Sequence, residues 1–145
     1  MDIVNIIVRV VHIGSVVALV GGTLFMVFAM KPSLKLVDEQ LRQSLMTLAR
    51  KRFMRITHTA ISLLILSGAW TWYQNVEVYR NASKALQAVL GMKVLIALVI
   101  FAIIFGVAAG ALKGCPARWA WINIALALVV IILAAVVRSM HMAAL

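Results

Sequence analysis

The stretch IVNIIVRVVHIGSVVALVGGTLFMVFAM, from Ile3 to Met30, decides the fold class. Its only ionisable side chains are Arg9 and His12. A hydrocarbon core takes about 20 helical residues to cross. Lipid offers backbone groups no partners, and a helix satisfies them internally. Three further apolar segments follow, Ile56–Tyr73, Leu86–Leu112 and Trp119–Val137. The expectation is an all-α, polytopic membrane protein with four transmembrane helices in one antiparallel bundle. Its helices fall at about 3–30, 53–75, 85–112 and 118–141, within a single domain over residues 1–145. A signal peptide is the rival reading of the first segment, which is too long for one and lacks a basic leader.

Composition agrees. Of 145 residues, 65% are apolar and 12% are charged, and the mean hydropathy is +1.08. That charged share is about half the usual one for a soluble domain. Fourteen Lys and Arg against four Asp and Glu give a net charge of +10. The cations sit between apolar segments, as in a membrane protein and not a nucleic-acid binder. Cys115 is the single cysteine, which excludes an internal disulfide.

Cation placement gives a direction. Lys31, Lys35, Arg42, Arg50, Lys51, Arg52, Arg55, Lys113 and Arg118 fall on one side. Arg9, Arg80, Lys84, Lys93 and Arg138 fall on the other. The first group belongs in the cytoplasm, and both termini then lie outside, on the periplasmic side of a bacterial inner membrane. Trp70, Trp72, Tyr73 and Tyr79 mark the outer interface; Trp119 and Trp121 mark the inner one. Residues 33–50 carry Val37, Leu41, Leu45 and Leu48 at helical spacing, an amphipathic segment on the cytoplasmic surface. The plain role of its cations is to fix topology and meet anionic lipid. Pro32 is expected to end the first helix. Gly14, Ala18 and Gly22, like Gly106, Gly110 and Gly114, recur every four residues and suit close helix contact, within the bundle or between two copies.

Ionisable residues within spans are functional candidates. At about 1.5 Å of rise per residue, His12 lies about 7 Å outward of its span's middle, Lys93 about 10 Å and Arg138 about 13 Å. His58 lies about 10 Å the other way, too far from His12 for the two to share one haem iron. A b-type haem fits one histidine set among cations. His12 is then the axial ligand, Met92 or His141 the second, and Lys93, Arg138 and Arg9 the propionate partners. Gly14 or Gly91 would leave room for the ring edge. The rival is copper, held by imidazole and thioether groups of His12, His58, Met54, Met140, His141 and Met142. Methionine in an apolar helix is more often core filling. No carboxylate lies within a span to relay protons: Asp2, Asp38, Glu39 and Glu77 are terminal or in loops.

Three stretches carry a resemblance. Arg9–Phe25 (RVVHIGSVVALVGGTLF) with Lys31-Pro32, Arg52–Gly68 (RFMRITHTAISLLILSG) and Leu90–Leu95 (LGMKVL) resemble copper-resistance protein D (CopD-like) membrane domains. The same layout is similar to HemJ-type four-helix haem-binding membrane proteins, onto whose histidine and third-helix lysine His12 and Lys93 fall. The sequence lacks that family's aromatic-Gly-Leu stretch and second histidine. The CopD likeness implies copper handling. The HemJ likeness implies haem binding and a redox role, with a redox partner protein. A third expectation is a non-catalytic accessory subunit of a larger membrane complex, its glycine faces serving as interfaces.

Overall fold

The computed structural model describes residues 3–81, 83–108 and 116–143. All the elements among them are helical. The apolar start forms α1 (Ile3–Leu24), which passes into a π-helical turn at Phe25–Met30, a short α2 (Lys31–Ser33) and a 3-10 turn at Leu34–Leu36. Pro32 therefore does not end the first helix. A π turn pairs residues five apart, so the chain passes a residue without an N–H and still keeps its helical run. The run ends at Val37, whose backbone is extended.

The next helix, α3 (Glu39–Gln74), is 36 residues long. It joins the amphipathic segment to the second expected span without a break. Its first bond runs from the Arg42 N–H to the Asp38 carbonyl, 2.9 Å. Glu39 in the first turn pairs with Arg42 and accepts a 2.9 Å hydrogen bond from Gln43 Nε2. A negative charge there also suits the helix dipole. The Gln43 hydrogen bond, then the Arg42 guanidinium, hold the Glu39 carboxyl below its usual range. A depressed folded-state pKa stabilises above the unfolded pKa, and that stabilisation is lost as pH falls through the folded value. Amide exchange at residues 40–43 should therefore speed up, relative to its intrinsic rate, on acidification through and below the ordinary carboxylate range. Glu39→Gln should remove that pH dependence, and an unchanged profile in the variant would count against the assignment.

Three helical stretches among the described residues are long and apolar enough to cross a membrane: Ile3–Leu36, Lys84–Val107 and Arg118–Ser139. The expected span Ile56–Tyr73 is not among them. Thr57, His58, Thr59 and Ser62 dilute its inner half, and Trp70–Tyr73 its outer end. The large apolar side chains face outward: Val17 is 65% exposed, Leu66 67% and Ile132 62%. Apolar exposure on this scale is foreign to a water-soluble monomer.

The chain divides into two compact units, Met1–Tyr73 and Gln74–Leu145. In the first, α1 and α3 lie antiparallel. Asn5 meets Trp70, His12 meets Ser67, and Gly22 meets Phe53. Val8, His12, Ser15, Leu19 and Gly22 alternate in steps of four and three, and all are half-buried or buried. Phe53, Thr57, Ala60, Leu64 and Ser67 do the same on α3. This is the spacing of helices packed side by side at a shallow angle. The seam is rich in small and polar groups: Ser15, Thr57, Ala60 and Ser67 are buried. Such residues let helices approach closely in lipid. The hydroxyls of Ser15 and Thr23 donate to the carbonyls of Val11 and Leu19, four residues back, at 2.8 Å each.

The glycine stripe lies only partly in the α1–α3 seam. A Cβ on Gly14 would meet nothing, whereas one on Gly22 would overlap the Phe53 ring. Steps of four drift about 40° around a helix each time, so a strict four-residue stripe leaves the seam that the alternating pattern follows. Gly110 and Gly114 lie outside the described residues.

In the second unit, α4 (Val76–Asn81) leads to α5 (Lys84–Ala108), which packs on α6 (Pro116–Ala143). Ser83 caps α5: its hydroxyl accepts from the Leu86 N–H at 3.3 Å. Gln87 reaches back and donates to the carbonyls of Tyr79 and Arg80, at 3.0 and 3.2 Å. Both carbonyls belong to the last turn of α4.

Candidate functional site

The site is built on the α1–α3 seam. His12 is half-buried, and its Nδ1 lies 2.8 Å from Ser67 Oγ. A serine hydroxyl has one proton to give. Ser67 gives it to the Leu63 carbonyl at 2.6 Å, with the Leu64 carbonyl at 3.2 Å. With that proton on Leu63, the Ser67 oxygen is placed to accept from His12, an arrangement that favours the imidazole tautomer with its proton on Nδ1. That tautomer carries the ring's lone pair on Nε2. Metal-bound histidines are held this way, the far ring nitrogen donating to a fixed acceptor.

The ring edge is bounded by Gly68, where a Cβ would stand 3.9 Å from His12 Cε1. Toward the outer end, Trp70 Nε1 donates to Asn5 Oδ1 at 3.3 Å. Asn5 is seven residues before His12 and Trp70 three after Ser67, so this bond closes the seam one level further out. Arg9, three residues before His12, is exposed on α1.

The remaining sequence candidates fall elsewhere. His58 is on α3, nine residues inward of Ser67, which sets it about 14 Å along the axis from the level of His12. Two ligands of one iron cannot be that far apart, so His12 and His58 do not share a metal within this unit. His58 is exposed, and Met54, one turn before it, is half-buried. Met92 and Lys93 are on α5, and Arg138 is on α6. Met92 is 54% exposed, Lys93 half-buried and Arg138 exposed. The backbones of Met140, His141 and Met142 are helical in α6, and their side chains lie outside the described residues, as does Cys115. Among the described residues no three His, Cys, Asp or Glu side chains gather as a metal-holding group.

Ser67 is the His12 partner that sequence reasoning missed. The available signal was height: Ser67 lies just outward of the middle of its span, as His12 does in its own. No protein-family model matches this chain, nor does any curated protein or solved structure.

Proposed function

We propose that the chain is a four-span protein of a bacterial inner membrane, both termini outside, that binds a b-type haem through His12 and serves electron transfer. The observation that carries this reading is the Ser67 contact, which puts the His12 lone pair on Nε2 within an apolar helix pair. A haem bound there would supply a one-electron couple. The chain's own part is to hold the imidazole in the ligating tautomer and to exclude water with the apolar faces of α1 and α3. It also offers Arg9 to an anionic group. Lys93 and Arg138 enter as further propionate partners, and Met92 or His141 as second ligand, on sequence depth alone. The likeness to HemJ-type proteins supports the same reading.

The fourth span in this proposal is the apolar part of α3. At about 1.5 Å per residue the 36 residues of α3 extend about 54 Å. That exceeds the hydrocarbon thickness of about 30 Å, so its first turns stand clear of the core.

The test is the absorption spectrum of detergent-purified protein, oxidised and dithionite-reduced, with metal analysis. A Soret band with reduced α and β peaks, lost in His12→Ala, is the expected result. Colourless protein with stoichiometric copper would replace haem by the CopD-like reading through Met54, His58 and the Met140–Met142 end. Colourless, metal-free protein would leave the accessory-subunit reading.

A further inference from the structure

Where the first unit turns between α1 and α3, the chain forms an open cleft of about 490 Å³. Its walls carry Lys31 and Lys35 from before the reversal, and Glu39, Arg42, Gln43 and Thr47 from after it. Ligand sites are commonly about 300–1,000 Å³. Three cations face one anion, and that anion is already held by Arg42 and Gln43. Lys31 and Lys35 are therefore left in excess. The cleft also has an apolar side: Leu34, 6% exposed, and Met46 line it. Lys31 follows directly on the apolar run that ends at Met30, so the cleft opens where a crossing helix leaves the hydrocarbon for the headgroups.

We propose that this cleft is a discrete site for one anionic phospholipid headgroup, its phosphate seated between Lys31 and Lys35 with Arg42 alongside. The inference rests on the membrane reading of the chain and is independent of any cofactor. It differs from general attraction of a basic surface. Arg50, Lys51, Arg52 and Arg55 are equally basic and exposed on α3, yet none lines the cleft. Diffuse attraction would draw on all of them alike. A built site draws on Lys31 and Lys35 and discriminates between headgroups.

Native mass spectrometry of the detergent-solubilised full chain tests this, with added phosphatidylglycerol or phosphatidylcholine of the same acyl chains. One phosphatidylglycerol should be retained per chain in preference to phosphatidylcholine. Lys31→Gln with Lys35→Gln should weaken that binding about thirtyfold, from the usual contribution of two surface cations. Lys31→Arg with Lys35→Arg should preserve it. Lys51→Gln with Arg52→Gln should leave it within about threefold. Equal loss in both glutamine pairs, or equal retention of the two lipids by the unaltered chain, overturns the site. Displacement of the lipid by an equal concentration of inorganic phosphate would make it a free-phosphate site and overturn the lipid assignment. The comparison of the two lipids on the unaltered chain stands even if the Lys31/Lys35 glutamine pair fails to fold.

Discussion

Under the proposed haem reading, Ser67→Ala is expected to weaken haem retention about ten- to a hundredfold, the usual cost of removing the group that orients a metal-bound histidine. The change deletes one oxygen from a buried position and leaves the seam otherwise filled. Two effects then add. The His12 Nδ1–H loses its acceptor, and an unmet buried donor costs about 1–3 kcal/mol. The imidazole also loses what selects its tautomer, so part of the population puts the proton on Nε2 and cannot ligate. Haem transfer from the purified protein to excess apomyoglobin measures the first consequence. Nitrogen-15 shifts of His12 in haem-free protein measure the second and do not depend on haem. Ser15→Ala is the matched control, a buried serine whose hydroxyl bonds only its own helix, at the Val11 carbonyl. Equal losses in the two variants would mean that Ser67 acts through packing and not through His12.

The second large effect is steric. Gly22→Leu should destabilise the first unit by about 1–3 kcal/mol, the ordinary range for overpacking a contact. A Cβ on Gly22 enters the space of the Phe53 ring, and leucine adds three further carbons behind it. The ring's outer end can swing aside, so Gly22→Ala should cost less than the leucine variant. Gly14→Ala and Gly21→Ala meet nothing. They should be neutral or stabilising by up to about 1 kcal/mol through helix propensity. Unfolding in mixed detergent and dodecyl sulfate gives the values. Phe53→Ala combined with Gly22→Leu should recover most of the loss, since the two side chains compete for one space. Additive losses would place the strain elsewhere.

The helical class was legible in Ile3–Met30, because length and apolarity leave a membrane-crossing chain few choices of structure. His12 was legible for the same reason: an imidazole within such a run is costly and conspicuous. Ser67 was not. A serine within an apolar helix ordinarily bonds the carbonyl four residues back, and Ser62 does so with His58 at 3.0 Å. Nothing in sequence separates that serine from one that also accepts from a histidine on another helix; only the pairing of α1 with α3 does. Gly14 lies off the α1–α3 seam because a strict four-residue stripe drifts around the helix, which leaves the contact between two copies as the expectation for it. Pro32 misled because its cost assumes an unbroken α-helix, and the π turn before it changes the hydrogen-bond spacing. The span within α3 fell short on hydropathy because polar residues stand on more than one of its faces, Thr57 and Ser67 buried in the seam and His58, Thr59 and Ser62 exposed.

Because α3 runs from Glu39 to Gln74 without interruption, the Glu39–Thr47 wall of the cleft and the His12 contact are indexed on one rod. Their angular phase is set by residue count and nothing else. One residue inserted between Thr47 and Phe53 would rotate that wall by about 100° relative to Ser67. Seven would return it to within about 20° while moving it about 10 Å further from the seam. Insertion length therefore separates phase from distance. A property that needs both ends aligned should fail with one added residue and recover with seven.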